Sequence, residues 1–360
     1  MAYRVTLVGG ASFMPVYDLP IDDFSWKRVW NAGHQGTLSF KVSELELLPE
    51  LHRTSLWPLE YWLVVQWNNA PVYAAIITDH DYNWKSRTVT ISYADIWWFW
   101  DRRHVLSDRT AQAGQFSYEW KNISYETLAI RAVKTGISGE AESPLVWDLP
   151  IVFPAESSGT VNRDVEGYQF ETVKELLDEA SEAGDTNIDF RPRWSSSGAL
   201  EWVMEFSGSG ELVEFDLDAA ISPVTDLDYS VVGSRLANHV FGIGEGSEED
   251  MLVRVSTKPT ATTYPALEST VDGKSVNTRE RLQGLTTAHR VGRDATIRQA
   301  TLKVHADGPP HVGQLRLGST VRWRSISDPY LPTIWHEQKI VEFSGSLKHE
   351  VSISMTDWGG

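Results

Sequence analysis

Residues 147–194 read WDLPIVFPAESSGTVNRDVEGYQFETVKELLDEASEAGDTNIDFRPRW, and they hold the clearest helix in the chain, set between extended and turn-rich sequence. Thr172 and Glu175 form a T-x-x-E capping box, in which each side chain satisfies a backbone N–H left unpaired at a helix start. Leu176, Leu177, Ala180 and Ala183 recur at helical spacing with Val173 on the same stripe, while Lys174, Asp178, Glu179 and Glu182 fill the other side. Gly184 is placed to take the left-handed conformation that ends a helix. Three turns at about 1.5 Å per residue make a rod about 18 Å long. A helix that short is marginal alone, so its apolar stripe must be packed. The β-like runs 150–153, 188–191 and 200–206 are the expected covers, which makes the stretch a small α/β unit with mostly β sequence on both sides.

The chain's 360 residues are too many for one simple core and fit two or three domains. With 32 Lys+Arg against 49 Asp+Glu the formal net charge is −17, which argues against a nucleic-acid-binding surface as the main business. Cysteine is absent, and this excludes disulfides, thiolate metal sites and cysteine nucleophiles. No run approaches the roughly 18 apolar residues of a membrane span. The N-terminal MAYRVTLVGGASFMPVYDLP lacks the apolar core of a secretory signal, so the product is expected to be soluble when made and not exported by that route. Sixteen Trp and 12 Tyr are more than packing usually requires, and such residues are enriched in interfaces, where one end of the ring is apolar and the other hydrogen-bonds.

In order, residues 3–8 and 37–43 alternate apolar and polar and read as strands, with a turn-prone segment between them around Trp26, Trp30, Asn31 and Gly33. Runs 61–67 and 72–78 form a hairpin around Asn68 and Asn69, since Asn tolerates positive φ. A third strand, 87–93, leads into Asp95-Ile-Trp-Trp-Phe-Trp-Asp101. Hairpins in series ending in an aromatic plug are a barrel-like pattern, so 1–108 reads as one antiparallel β domain. From 109 to 211 the texture is α+β. Residues 124–135 form a helix there, with Leu128, Ala129, Ala132 and Val133 inward and Gly136 at its end. A Gly/Ser turn is expected at 207–210. The last third returns to β: 213–217, 228–232 and 238–242, a helix at 277–289, then 300–305, 315–317, 320–324, 336–343 and 350–355. Two β-rich ends flanking a mixed middle point to a duplicated barrel, although no sequence repeat marks it.

The combination W-D-L-P-I … E-G-Y-Q-F-E-T-V-K-E-L-L-D-E-A … I-D-F-R-P-R-W resembles the middle of minor tail proteins from siphophages of actinobacteria. D-I-W-W-F-W-D-R-R before it, G-I-G-E-G and Y-P-A-L-E after it, and the closing L-G-S-T-V-R-W-R … L-P … I-V-E-F-S-G-S agree in order, so the resemblance spans nearly the whole chain. That family is similar to the tail-hub, or tail-associated, group related in fold to the baseplate hub of contractile-tailed phages. The resemblance implies a mainly β fold with an α+β insert: two antiparallel β-barrel-like domains flanking a mixed one. It divides the chain into a first barrel (1–108), a mixed domain (109–212 and 246–305) and a second barrel (213–245 and 306–360). It further implies a homotrimer in the virion tail tip, a pseudo-sixfold ring joining the tail tube to the tip and letting DNA pass on ejection. The implied partners are sister copies, the distal tail protein ring, the tape measure protein and other minor tail proteins. No cofactor, metal or catalytic residue is implied. The chain stops soon after the expected last strand, so no appended peptidase or fibre is expected.

Each site-like signal has a plainer reading. Gly242-Ile-Gly244-Glu-Gly246 resembles a shortened phosphate loop, but Ser-Glu-Glu-Asp follows and repels phosphate, so a turn or interface loop is preferred. The histidines include no H-E-x-x-H and no close i, i+4 pair; His305, His311 and His336 read as packed or solvated, not as ligands. Asp164/Glu166 and Asp216/Asp218 are the most compact carboxylate pairs for glycoside hydrolysis, and a solvated face is the simpler account. Arg279, Arg281, Arg290, Arg293 and Arg298 cluster on an acidic background and suit an intersubunit ion-pair face better than nucleic acid. Trp97, Trp98 and Trp100 are the candidate interface aromatics, with sugar stacking as the alternative. The leading expectation is a non-enzymatic structural tail protein. A tail-associated wall hydrolase and a host-surface carbohydrate-binding tail protein are the alternatives.

Overall fold

The computed structural model describes residues 3–21, 24–45, 56–106, 109, 111–115, 117–137, 149–184, 186–206, 212–247, 250–258, 264–274 and 276–357. The first third carries β1 (Tyr3–Gly9), β2 (Pro15–Leu19), β3 (Trp26–Val29), β4 (Gln35–Lys41), the single turn α1 (Val42–Leu45), β5 (Tyr61–Trp67), β6 (Ala70–Asn83), β7 (Thr88–Asp95) and a 3-10 helix (Ile96–Arg102). The middle carries β8 (Ser117–Ile123), α2 (Tyr125–Ile137), β9 (Ile151–Val152), β10 (Val161–Glu166), α3 (Val173–Gly184), β11 (Ile188–Trp194) and β12 (Leu200–Phe206). Then follow β13 (Val213–Asp216), β14 (Val224–Val232), β15 (His239–Ile243), β16 (Val253–Thr257), β17 (Glu268–Asp272) and α4 (Arg279–Val291). The chain closes with β18 (Ile297–His305), β19 (Thr320–Arg324), β20 (His336–Gly345) and β21 (Glu350–Thr356). The fold is mainly β with an α+β insert, as the sequence indicates. The Gly/Ser turn expected at 207–210 lies outside the described residues.

The first sheet is antiparallel in the order β2-β1-β5-β6-β7-β4. Asn68 and Asn69 both take positive φ between β5 and β6, the two-residue turn that Asn permits. From Trp62 to Trp67 every residue of β5 is buried, because the sheet is covered on both faces. Leu63, Val65, Trp67, Ala75 and Ile77 face one core. Trp62, Val64, Ala74 and Ile76 face another. Strand period two thus splits one apolar run between two cores.

The second sheet runs β13-β19-β20-β21-β18-β14, and β3 pairs with the far half of β20, Trp26 opposite Gly345 and Val29 opposite Glu342. This strand was not legible as one: WKRV lies in the segment expected to turn, and its inward Arg28 breaks the apolar alternation. β3 ties the N-terminal third to the C-terminal sheet, and the two sheets share a core that includes Trp26, Trp67, Phe215, Trp323 and Phe343. β18 pairs inside this sheet, while β15 pairs with β16 and β17, so the observed sheets cut across the divisions drawn at 245 and 305. Residues 315–317 form no strand; Leu315 and Leu317 are buried in an irregular connection.

In the middle, Thr172 and Glu175 exchange the two capping bonds: Thr172 N–H donates to Glu175 at 2.7 Å and Glu175 N–H to Thr172 Oγ1 at 3.2 Å. Val173, Leu176, Leu177 and Ala180 are buried as expected, but Ala183 is exposed. α3 packs chiefly on α2 and the 3-10 helix, not on the strands expected to cover it. Gly184 is the last residue of α3 and is not itself left-handed; a Cβ there would run into the Tyr125 ring. Gly136 likewise lies inside α2, where α2 and α3 approach so closely that a Cβ would strike Val173. β9, β11 and β12 form a three-stranded sheet against the second core.

One buried charged cluster joins these parts. Arg28 on β3 pairs with Asp189 on β11, both about nine-tenths buried. Asp95, at the end of β7, accepts from His34 N–H at 2.7 Å and from Trp97 N–H at 3.0 Å, capping the 3-10 helix. Burial pushes the Asp95 carboxyl up to about 7, with nearby Asp189 acting the same way and the two backbone bonds opposing. Arg28, Asp95 and Asp189 line a cavity of about 20 Å³, room for a single water.

Candidate assembly surfaces

Trp97 and Trp100 lie in the second core, each ring within 5.4 Å of Phe190, while Trp98 is half-buried beneath the Arg102 guanidinium at 3.9 Å. The structure therefore places the three indoles in two environments, and only Trp98 retains exposed ring. The tryptophan surplus is spent inside: Trp26, Trp62, Trp67, Trp100, Trp202 and Trp323 are among the largest fully buried side chains. Exposed indoles occur at Trp57 and Trp84, the latter at the tip of the β6–β7 hairpin.

The carboxylate pairs are not brought together as an acid–base site. Asp216 is held by Arg324 at 2.7 Å. Asp218 accepts from Ile326 N–H and Ser327 Oγ and, more weakly, from Ser327 N–H and Ser325 Oγ, and these bonds hold its carboxyl below the usual range. Asp164 is exposed and Glu166 half-buried on β10. Gly242 and Gly244 serve close packing: a Cβ on Gly242 would collide with Thr286 of α4, and one on Gly244 would meet Leu282 at 2.9 Å. Among the described residues between Gly246 and β16 no helix of the phosphate-loop kind opens. Arg281 bonds Glu179 of α3 at 2.8 Å, and Arg290 bonds Asp294 and Ser256, so these two arginines find partners within the chain. Among the described residues no group of three or more His, Asp or Glu is arranged to hold a metal, and no helix is long and apolar enough to cross a membrane.

Among the described residues, three apolar surfaces face outward. The first is a loop. Asp218 ties the connection between β13 and β14 to the one between β19 and β20, where Ser325 N–H donates to Pro332 O at 3.1 Å and Tyr330 N–H to Asp328 at 2.8 Å. These bonds fix a loop that presents Ile326, Tyr330 (83% exposed) and Ile334, while Ile221 (94% exposed) lies on the β13–β14 connection that Asp218 anchors. Sequence patterning overlooked them because isolated apolar residues among Ser, Asp and Pro have no period; their signal is bulk without period inside turn chemistry. The second surface is a recess of about 640 Å³ at the end of the first sheet, lined by Gly9, Gly10, Leu59, Tyr61, Ile76 and Phe99 among others. The third is the face of the β16-β15-β17 sheet turned away from α4, which carries Phe241, Ile243, Val253 and Val255.

The sequence matches no protein-family model and no curated protein. Solved structures match over the full length. The 43 kDa tail protein of prophage MuSo2 from Shewanella oneidensis is similar with a TM-score of 0.59 at 14% identity, covering 98% of each chain. The tail protein from Neisseria meningitidis MC58 gives 0.59 at 13% identity, covering 100% of this chain and 98% of its own. The c3393 protein of E. coli, a type VI secretion component described as structurally similar to the T4 tail proteins gp27 and gp5, gives 0.51 at 9% identity over 99% of this chain and 75% of its own. At such low identity the likeness speaks for the fold, and the fold is that of phage tail and baseplate-hub proteins.

Proposed function

We propose that this chain is a structural subunit of a phage tail tip. Three copies form a hub ring that joins the tail tube and distal tail ring to the tip and leaves a passage for DNA. The observation that carries this reading is the likeness to whole tail proteins from end to end, with neither chain leaving a domain unmatched. The first and second sheets supply two β units per subunit, six around the ring, and the α2–α3 region with the α4 sheet fills the space beside them. The partners are sister copies, the distal tail protein, the tape measure protein and other minor tail proteins, in a siphophage of actinobacteria. A formal charge of −17 per subunit suits a passage that must not hold phosphates.

Mass measurement in solution tests the stoichiometry: three subunits of 40.5 kDa give about 122 kDa. Images of tails carrying a labelled copy test the position, with three labels expected at the distal end. A label along the tube, or a lone copy on the tail's outside, sinks the hub reading.

A further inference from the structure

We propose that β15, β16, β17 and α4 form a leaf that swings as one body on the two connections joining it to β14 and β18, with Arg281 and Glu179 as the latch that holds it against α3. This goes beyond the ring reading and does not depend on it. The leaf has its own interior, in which Val240, Val276, Leu282 and Thr286 are buried. None of the four belongs to either of the two large cores that hold the rest of the subunit together. Outside the leaf α4 packs chiefly on α3, and among the described residues the hydrogen bond that ties α4 to the body runs from Arg281 to Glu179 at 2.8 Å. The Arg281 side chain is half exposed, and Glu179 is shared with Arg163 at 3.0 Å, so the tie is polar and divided. A unit joined to its neighbour without a broad apolar interface moves against it by default.

The connections are built as a hinge. They leave the body side by side, since Val232 at the end of β14 pairs with Ile297 at the start of β18. Ala237 N–H donates to Arg293 O at 2.8 Å and joins the two, so they bend together. Each carries a glycine, Gly233 on one and Gly292 on the other, and sterics demand neither. Neither takes a left-handed φ, and a Cβ on Gly233 or Gly292 would meet its nearest neighbour at 3.6 or 3.7 Å, an ordinary contact. Inside the leaf the opposite holds: a Cβ on Gly242, Gly244 or Gly273 would come within 3.0 Å of an α4 side chain. Alanine in place of an undemanded glycine stabilises a fold by narrowing the unfolded chain, so glycine there gives up stability for backbone freedom. A rigid leaf, free connections and a weak latch together make a hinged flap.

The absence of cysteine lets spin labels be placed at chosen positions. Glu182→Cys on α3 and Lys274→Cys on the leaf, both exposed, report the swing as an electron–electron dipolar distance. Glu182→Cys with Glu337→Cys on β20 is the control within the body. At low salt the 182–274 pair should show one dominant distance and a minor second population. Salt at about 1 M, which shortens the screening length to about 3 Å, should enlarge the second. Exposed ion pairs are weak, so Arg281→Met should raise the open-to-closed ratio about two- to fivefold and remove its salt dependence. Gly233→Ala with Gly292→Ala should shrink the second population and leave the melting temperature level or higher. A single 182–274 distance at every salt overturns the flap and leaves the ring, which is read from native mass, standing. An unaltered ratio in Arg281→Met removes the latch, and a lower melting temperature in the double alanine variant returns the glycines to packing and removes the hinge. Broadening of the 182–337 distance in step with 182–274 would mean that the whole body loosens, and it overturns the leaf as the moving unit.

Discussion

The first sheet and the small β16-β15-β17 sheet use the same secondary structure for opposite ends. β5 and β6 are apolar on both faces because one face belongs to the core shared with the second sheet and the other to the core built on α2, α3 and the 3-10 helix. The small sheet is closed on one face by α4, whose approach is admitted by Gly242 and Gly244, and open on the other, where Val253 and Val255 are exposed. A strand's pleat gives each face its own fate. The wall puts both faces inside the subunit, while the leaf keeps one to offer.

The largest expected effect lies in the wall. Trp62 is fully buried on β5 with its ring 4.6 Å from Trp202 and 5.7 Å from Phe99. Trp62→Ala should cost about 3–5 kcal/mol in chemical denaturation, since the surrounding rings cannot collapse into the space. A loss under about 1 kcal/mol would mean the wall is not packed as a shared partition.

The joint at the wall's end should show as pH dependence. Asp95 has a folded-state pKa raised to about 7 from its ordinary value of 3.8, so the native state holds a proton that the unfolded chain releases. The stability this contributes is full below about pH 4 and is lost as pH rises through about 7; between pH 5 and 8 the loss is roughly 2–3 kcal/mol. Asp95→Asn stays neutral throughout, so the difference in unfolding free energy between pH 5 and pH 8 should shrink by about that amount. An unchanged difference would show that Asp95 is solvated in the native state.

On the closed face of the leaf, Gly242→Ala places a methyl against Thr286, which is itself fully buried and donates to Leu282 O at 2.6 Å. The cost expected from overpacking is about 1–3 kcal/mol. Thr286→Ala removes the colliding oxygen, so the double variant should be more stable than the sum of the single losses predicts. Strict additivity would mean that α4 does not close this face at Gly242.

These contrasts also mark how far the sequence could be read. Periodicity placed β5 and β19 to the residue and the inward stripes of α2 and α3 nearly so, because a covered face demands an unbroken apolar repeat. Ala183 was misplaced because alanine satisfies an apolar repeat without needing burial. β3 was hidden because its decisive residue, Arg28, is buried with a carboxylate that lies 161 positions away, and no local window contains that partner. The Asp218-tied loop was hidden for the opposite reason, since its apolar residues answer to no repeat. Pairing across long separations and apolar residues exposed on loops leave no period in the sequence; residues 97–100 drew notice by composition, yet Trp97 and Trp100 face inward.

The smallest effect is expected on the open face of the leaf. Val255 is 42% exposed on β16, opposite Phe241, with no described element packed over it. In the isolated chain, Val255→Ser exchanges a half-wet methyl pair for a hydroxyl that water can satisfy, and the change should stay within about 0.5 kcal/mol, the range of ordinary surface substitutions. Trp62→Ala at 3–5 kcal/mol and Val255→Ser near zero would be the same sheet architecture read from inside and outside. A loss above about 2 kcal/mol at Val255 would instead require that this face is covered within the subunit, and the contrast between wall and leaf would fail. A small loss in the lone chain joined to a large loss in assembled tails would assign the face to a neighbour, because the methyls then leave water only when that neighbour is present.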